Sequence, residues 1–64
     1  MNIVIYDNQT GAIHRCVSCP DGMQEVQCGP NEDWLEHEWV DDSKYKVDLE
    51  TLVVVPIVAE NNAT

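Results

Sequence analysis

The chain has no phenylalanine and only three basic residues. It also has no apolar run long enough to cross a bilayer. Each shortage removes a class of protein. Without Phe, most of the large side-chain area must come from Trp34, Trp39, Tyr6 and Tyr45, residues that serve both cores and interfaces. Arg15, Lys44 and Lys46 cannot make the Lys/Arg stripe that phosphate contacts require, so nucleic acid is not an expected partner. An anionic membrane surface is disfavoured for the same reason. The longest apolar run, Leu52 to Ala59, is broken by Pro56 and falls far short of the ~20 residues of a membrane helix. The start, Met1-Asn2-Ile3-Val4-Ile5, lacks the basic and apolar regions of a secretory signal, so the expectation is a protein made in a cytoplasm.

What is present is acid. Twelve Asp and Glu give 64 residues a formal charge of -9. That excess favours solubility, opposes compaction and favours a basic protein partner. The length allows one domain, and a chain this short buries only about 60% of the surface it exposes when unfolded. Such scaffolds usually need a disulfide, a metal or a partner subunit. Disorder is opposed by an apolar fraction of 44%, arranged in strand-like runs. The expected organisation is a single small β domain over residues 1–57, folded from Asn2 to Ile57, with 58–64 as a flexible C-terminal tail.

One turn pattern occurs twice. Ile3-Val4-Ile5-Tyr6-Asp7-Asn8-Gln9-Thr10-Gly11-Ala12-Ile13 reads as strand, polar turn and strand, and Tyr45-Lys46-Val47-Asp48-Leu49-Glu50-Thr51-Leu52-Val53-Val54 repeats its sense. Each copy ends an apolar-alternating run with Asp and has Thr three residues later. Those side chains can bond nearby backbone amides, and Gly11 can take the left-handed conformation that closes a hairpin. The second copy has Leu52 where Gly is expected.

Between the hairpins, a second strand is predicted from Ala12 to Cys19, with Ile13, Val17 and Cys19 on one face and His14, Cys16 and Ser18 on the other. Pro20 ends it. Residues 23–28 are predicted to make one or two helical turns with Met23, Val26 and Cys28 inward, closed by Gly29-Pro30. From Asp33 to Val40 the pattern is extended, with Trp34, Glu36, Glu38 and Val40 opposite Leu35, His37 and Trp39. Asp41-Asp42-Ser43 turns the chain into the second hairpin. The fold class is therefore mainly β, a small antiparallel meander or roll of about five short strands with one short helical segment.

The chemistry-bearing residues have plain explanations. His14-x-Cys16-x-x-Cys19-x(8)-Cys28, with His37 beyond, offers zinc-type ligands. The Cys-x-x-Cys pair sits late in a strand and no second pair answers it, so the cysteines read as small buried hydrophobes and no zinc or other cofactor is expected. Three cysteines cannot all enter disulfides, and a reducing cytoplasm keeps them thiols. Cys16 with His14 or His37 could form a nucleophile pair, but so short a chain leaves little wall for a pocket, and an enzyme is not expected. The acids around Trp34, from Glu32 to Glu38, lack the loop order of a calcium site and read as a solvated face. Trp34 and Trp39, five residues apart on a strand, fall on opposite faces, one for the core and one for a partner.

The segments Ile3-Val4-Ile5-Tyr6-Asp7-x-x-Thr10-Gly11-x-Ile13, Ser18-Cys19-Pro20 with Cys28-Gly29-Pro30, and Tyr45-x-Val47-Asp48 with Val54-Val55-Pro56 resemble a group of small virion proteins of tailed double-stranded DNA bacteriophages and prophages. These are encoded near tail or tail-fibre genes. The resemblance implies a non-enzymatic structural protein of the virion, made in the host cytoplasm, tail or tail-fibre associated and docking through sheet edges and the aromatics Trp34, Trp39, Tyr6 and Tyr45. Its implied partners are other virion proteins in a homo-oligomer or multi-copy assembly. Two further readings are a capsid decoration protein and an acidic inhibitor of a host DNA-binding protein. Glu36, Glu38 and Asp42 would discourage random pairing at an open edge. The isolated chain is accordingly expected to fold poorly or self-associate until assembled.

Overall fold

The first strand is a run of β-branched and aromatic residues with no charge until Asp7, the composition of a strand covered on both faces. A computed structural model, which describes residues 1–57, places it at the centre of a sheet. The loose tail expected over residues 58–64 lies outside the described residues. The fold is mainly β: strands β1 (Asn2–Asp7), β2 (Ile13–Ser18), β3 (Glu32–Glu36), β4 (Tyr45–Asp48) and β5 (Val53–Pro56), with a 3-10 turn at Glu25–Gln27 and no α-helix among the described residues. They form two antiparallel sheets, a three-stranded one in the order β2-β1-β3 and the two-stranded β4-β5 hairpin.

Central placement gives β1 two cores. Val4 and Tyr6 point to one face, where they meet Ile13 and Val47, with Cys16, Leu35, Val40 and Val54 packed around them. Ile3 and Ile5 point to the other, against Cys19, with Val17, Cys28 and Trp34 alongside. Ile3, Val4 and Ile5 are completely buried, and each such side chain contributes about 1.5–3 kcal/mol relative to exposure.

The two turns have the same build. In the first, Asp7 Oδ1 accepts the N–H groups of Gln9 (2.7 Å) and Thr10 (3.1 Å), and the Gly11 N–H closes onto the Asp7 carbonyl at 2.8 Å. In the second, Asp48 Oδ1 accepts the Glu50 N–H at 2.9 Å, and the Leu52 N–H closes onto the Asp48 carbonyl at 2.6 Å. The closing residue has φ 84° at Gly11 and φ 58° at Leu52. Leu52 thus occupies the glycine position of the turn in a conformation that costs an L-residue roughly 1–2 kcal/mol.

Gly11 also joins the two sheets. Its carbonyl accepts the Val47 N–H at 2.8 Å, and the neighbouring Ala12 bridges to Lys46. A Cβ on Gly11 would stand 2.2 Å from the Val47 carbonyl oxygen, so only a residue without a side chain allows the contact.

Three sequence expectations are corrected. In β2, Ile5 pairs with Arg15 but Tyr6 pairs with Ile13, leaving His14 as an extra, bulged residue. A bulge reverses the alternation beyond it, so Ile13 faces the Val4/Tyr6 core while Val17 and Cys19 face the Ile3/Ile5 core. The strand from Asp33 ends at Glu36, and Val40 then turns in beside Leu35 on the Val4/Tyr6 face. The segment expected as helical turns presents Met23 and Val26 to solvent and buries Gln24. Gln24 is anchored there because its Oε1 accepts the Gly22 N–H at 2.8 Å and its Nε2 donates to Asp21 Oδ1 at 3.1 Å, contacts no apolar side chain could replace. Cys28 lies on the expected inner side, half-buried against the Ile3/Ile5 core.

Candidate docking surface

The four aromatics separate into three roles. Tyr6, expected at an interface, is 4% exposed and belongs to the core, because Val47 and Val54 of the second hairpin, with Val40, pack over its face of the sheet. Trp34 pairs with Ile5 across β1–β3 and packs half-buried on the Ile3/Ile5 core. Tyr45 is exposed at the start of β4. Trp39, in the segment after β3, is 73% exposed. The open side is therefore assigned to Trp39 and the core side to Trp34.

The residues just before Trp39 in the chain help to form an open groove of about 400 Å³, lined by Asn2, Glu36, His37 and Glu38. The groove is fixed in place by the end of the β1–β3 ladder, where the His37 N–H donates to the Asn2 carbonyl at 3.0 Å. His37 Nδ1 lies 2.9 Å from the Glu38 carbonyl oxygen. Residues 36–42 hold four carboxylates, Glu36, Glu38, Asp41 and Asp42, and no Lys or Arg. Along the chain, Trp39 therefore sits within an acidic segment.

At the opposite end of the sheet, a polar network crosses the Ile3/Ile5 face. Arg15 on β2 reaches over β1 to Glu32 on β3, with Nη1 donating to Oε2 at 2.8 Å and Nη2 to Oε1 at 3.0 Å, and Nη2 also donates to the Gln27 carbonyl at 2.6 Å. Glu32 accepts the Gly29 N–H at 2.6 Å, and His14 Nδ1 lies 2.6 Å from it. The Arg15 guanidinium, then the Gly29 amide, then His14 hold the Glu32 carboxyl down at about 2. Arg15 is raised in turn, chiefly by its hydrogen bond to Glu32. No sequence signal pointed to this cluster, since Arg15 and Glu32 are 17 residues apart.

The network sets a pH dependence. Because Glu32 ionises at lower pH in the folded chain than its ordinary 4.5, its contribution is complete above that value and is lost as pH falls toward about 2. Chemical denaturation of the parent and Glu32→Gln should show the parent more stable near neutral pH, with the difference shrinking from about pH 5 downward. Asp41, lowered by Ser43, shifts in both proteins and cancels. A difference independent of pH would refute this role for Glu32.

The cysteines weighed, with His14 and His37, as zinc-type ligands or a nucleophile pair are divided between the two faces of the sheet. Cys16 faces the Val4/Tyr6 core and donates its Sγ–H to the Val40 carbonyl at 3.4 Å, while Cys19 and Cys28 lie across the sheet on the Ile3/Ile5 face. His14 turns to Glu32 and Asp7, not to Cys16. Burial pushes the Cys28 thiol up, and Glu32 and Asp33 add to the shift, the opposite of nucleophile activation. Among the described residues, no group of three or more His, Cys, Asp or Glu is arranged to hold a metal ion. None of their helices is long and apolar enough to cross a membrane.

No protein-family model matches this sequence, and comparison with curated proteins and with solved structures yields no match.

Proposed function

We propose that the chain is a non-enzymatic structural component of a tailed-bacteriophage virion, tail or tail-fibre associated, made in the host cytoplasm and built into the particle by docking on a neighbouring virion protein. The observation that carries the docking is Trp39, a large apolar side chain left 73% exposed in a chain that has no Phe and only one other Trp. Exposed indoles with a charged surround are anchors of interfaces, where the ring fills a pocket and the rim selects the partner. The chain on either side of Trp39 carries Glu36, Glu38, Asp41 and Asp42, so the neighbour it fits has an apolar pocket edged by Lys and Arg. The virion assignment itself is supported by the turn and strand segments described above.

Mass spectrometry of purified particles tests the reading. The chain is expected among the virion proteins, and labelling at the tail separates that placement from decoration of the capsid. Its absence from particles would sink both placements. Recovery of a basic host DNA-binding protein with the free chain would then favour an acidic inhibitor.

A further inference from the structure

The second sheet carries an open strand edge with a different chemistry from the rest of the chain. The Ile57 N–H donates to the Lys44 carbonyl at 2.9 Å, and alternation along the ladder makes Val55/Lys46 and Val53/Asp48 the other hydrogen-bonded pairs. Val47 and Val54 therefore turn their backbone groups away from each other. Val47 uses its N–H on Gly11. Val54 directs its N–H and carbonyl to the outer edge of β5, along which no other described strand lies. Pro56 has the same outward phase, which is why a residue without an N–H is tolerated in this strand.

Leu52, Val53 and Ile57 are each about half exposed here, at 50%, 49% and 48%. Charge is segregated as well. Residues 1–43 hold nine of the twelve acids and one of the three basic residues, whereas residues 44–57 balance Lys44 and Lys46 with Asp48 and Glu50. A basic partner drawn to the acidic body has no electrostatic reason to choose this neutral hairpin. A second copy of the chain does, since it can meet the first here with the two acidic bodies held apart.

The geometry points to β5 as a homodimer edge, paired antiparallel to β5 of a second copy about a two-fold axis at Val54. Each Val54 N–H donates to the Val54 carbonyl of the other copy, giving a four-stranded sheet in the order β4-β5-β5-β4. On its outer face, each cross-strand row then runs Asp48, Val53, Val55 of the second copy, Lys46 of the second copy, so four valines sit between ends of opposite charge. The pair cannot extend further along the edge through these residues. The Leu52 N–H is committed to Asp48 and Pro56 has none. The contact is isologous and closes at two copies. So small an interface belongs to the weak class, with an expected Kd of roughly 10⁻⁵–10⁻⁴ M.

This inference deepens the reading of the chain as an assembly component by naming one of its partners. It is tested on the free chain, so its failure leaves the particle-composition test untouched. Sedimentation equilibrium of the full chain over about 5 µM to 1 mM should show a reversible monomer–dimer equilibrium. Raising salt to about 0.15 M should tighten it by screening repulsion between acidic bodies, the reverse of a basic-partner complex. A synthetic chain N-methylated at the Val54 amide loses only the outward donor and should be monomeric, with the circular dichroism of the parent. Val53→Lys, at an exposed position on the same patch, should weaken the dimer at least tenfold and serves if the methylated chain folds poorly. A parent that stays monomeric throughout, or a dimer as tight in both variants as in the parent, overturns the proposal.

Discussion

Gly11→Ala is expected to lower the stability of the chain by about 3 kcal/mol or more, a large part of the total for a domain this size. Two costs add. Alanine must hold the left-handed φ of 84°, at roughly 1 kcal/mol or more. Its Cβ must also clear a carbonyl oxygen at 2.2 Å, which it can do only if the β4-β5 hairpin shifts off the Val4/Tyr6 core. The shift breaks the Val47 N–H···Gly11 bond and the Ala12–Lys46 bridge, the backbone link between the sheets. Thermal unfolding should register a drop of about 10–20 °C. Leu52→Gly, at the same position of the second turn, should have the opposite sign. It relieves the strain at φ 58°, and the gain of up to about 1 kcal/mol is offset by the added freedom of glycine in the unfolded chain. A Gly11→Ala protein that melts with the parent would mean that the two sheets are not joined through this contact.

Trp39→Ala should leave the fold intact and disable docking. Stability is expected to change by less than about 0.5 kcal/mol, as for other surface positions, while affinity for the neighbour, read as copies per particle, falls about 10–100-fold. Trp34→Ala separates the two roles. Its ring packs on Ile3 and Ile5, and truncation should cost about 2–4 kcal/mol of stability. Melting curves of both variants, set beside quantitative mass spectrometry of particles, give the comparison. Normal incorporation of Trp39→Ala would remove that residue as the anchor.

Much of the candidate surface was legible residue by residue but not in its arrangement. The sequence offered Tyr6, Trp34, Trp39 and Tyr45 as a group, and period-two alternation put the two Trp on opposite faces. It could not send Trp34 inward, because that follows from Trp34 lying opposite Ile5 on a strand that another strand flanks on its far side. Tyr6 departs from the interface expectation because its burial depends on the distant second hairpin, whose Val47 and Val54 pack over it. The β5 edge carried a readable signal in Pro56, because proline within a strand marks an edge. The Arg15–Glu32 network carried none, as Arg and Glu far apart in sequence have no local pattern that pairs them.

Local sequence was enough to set the β class, about five short strands and the Asp-x-x-Thr turns. These rest on backbone geometry and side-chain chemistry within a few residues of each other, which neighbours in the chain cannot override. The order β2-β1-β3, the bulge at His14 that sends Ile13 and Val17 to opposite faces, the outward turn of Met23 and Val26, and the exposure of Trp39 were set by packing across the whole chain. Each depends on which strand occupies the middle of the sheet. That choice is made by burying Ile3, Val4, Ile5 and Tyr6 on both faces at once, a sum over contacts from the whole chain that no local window contains.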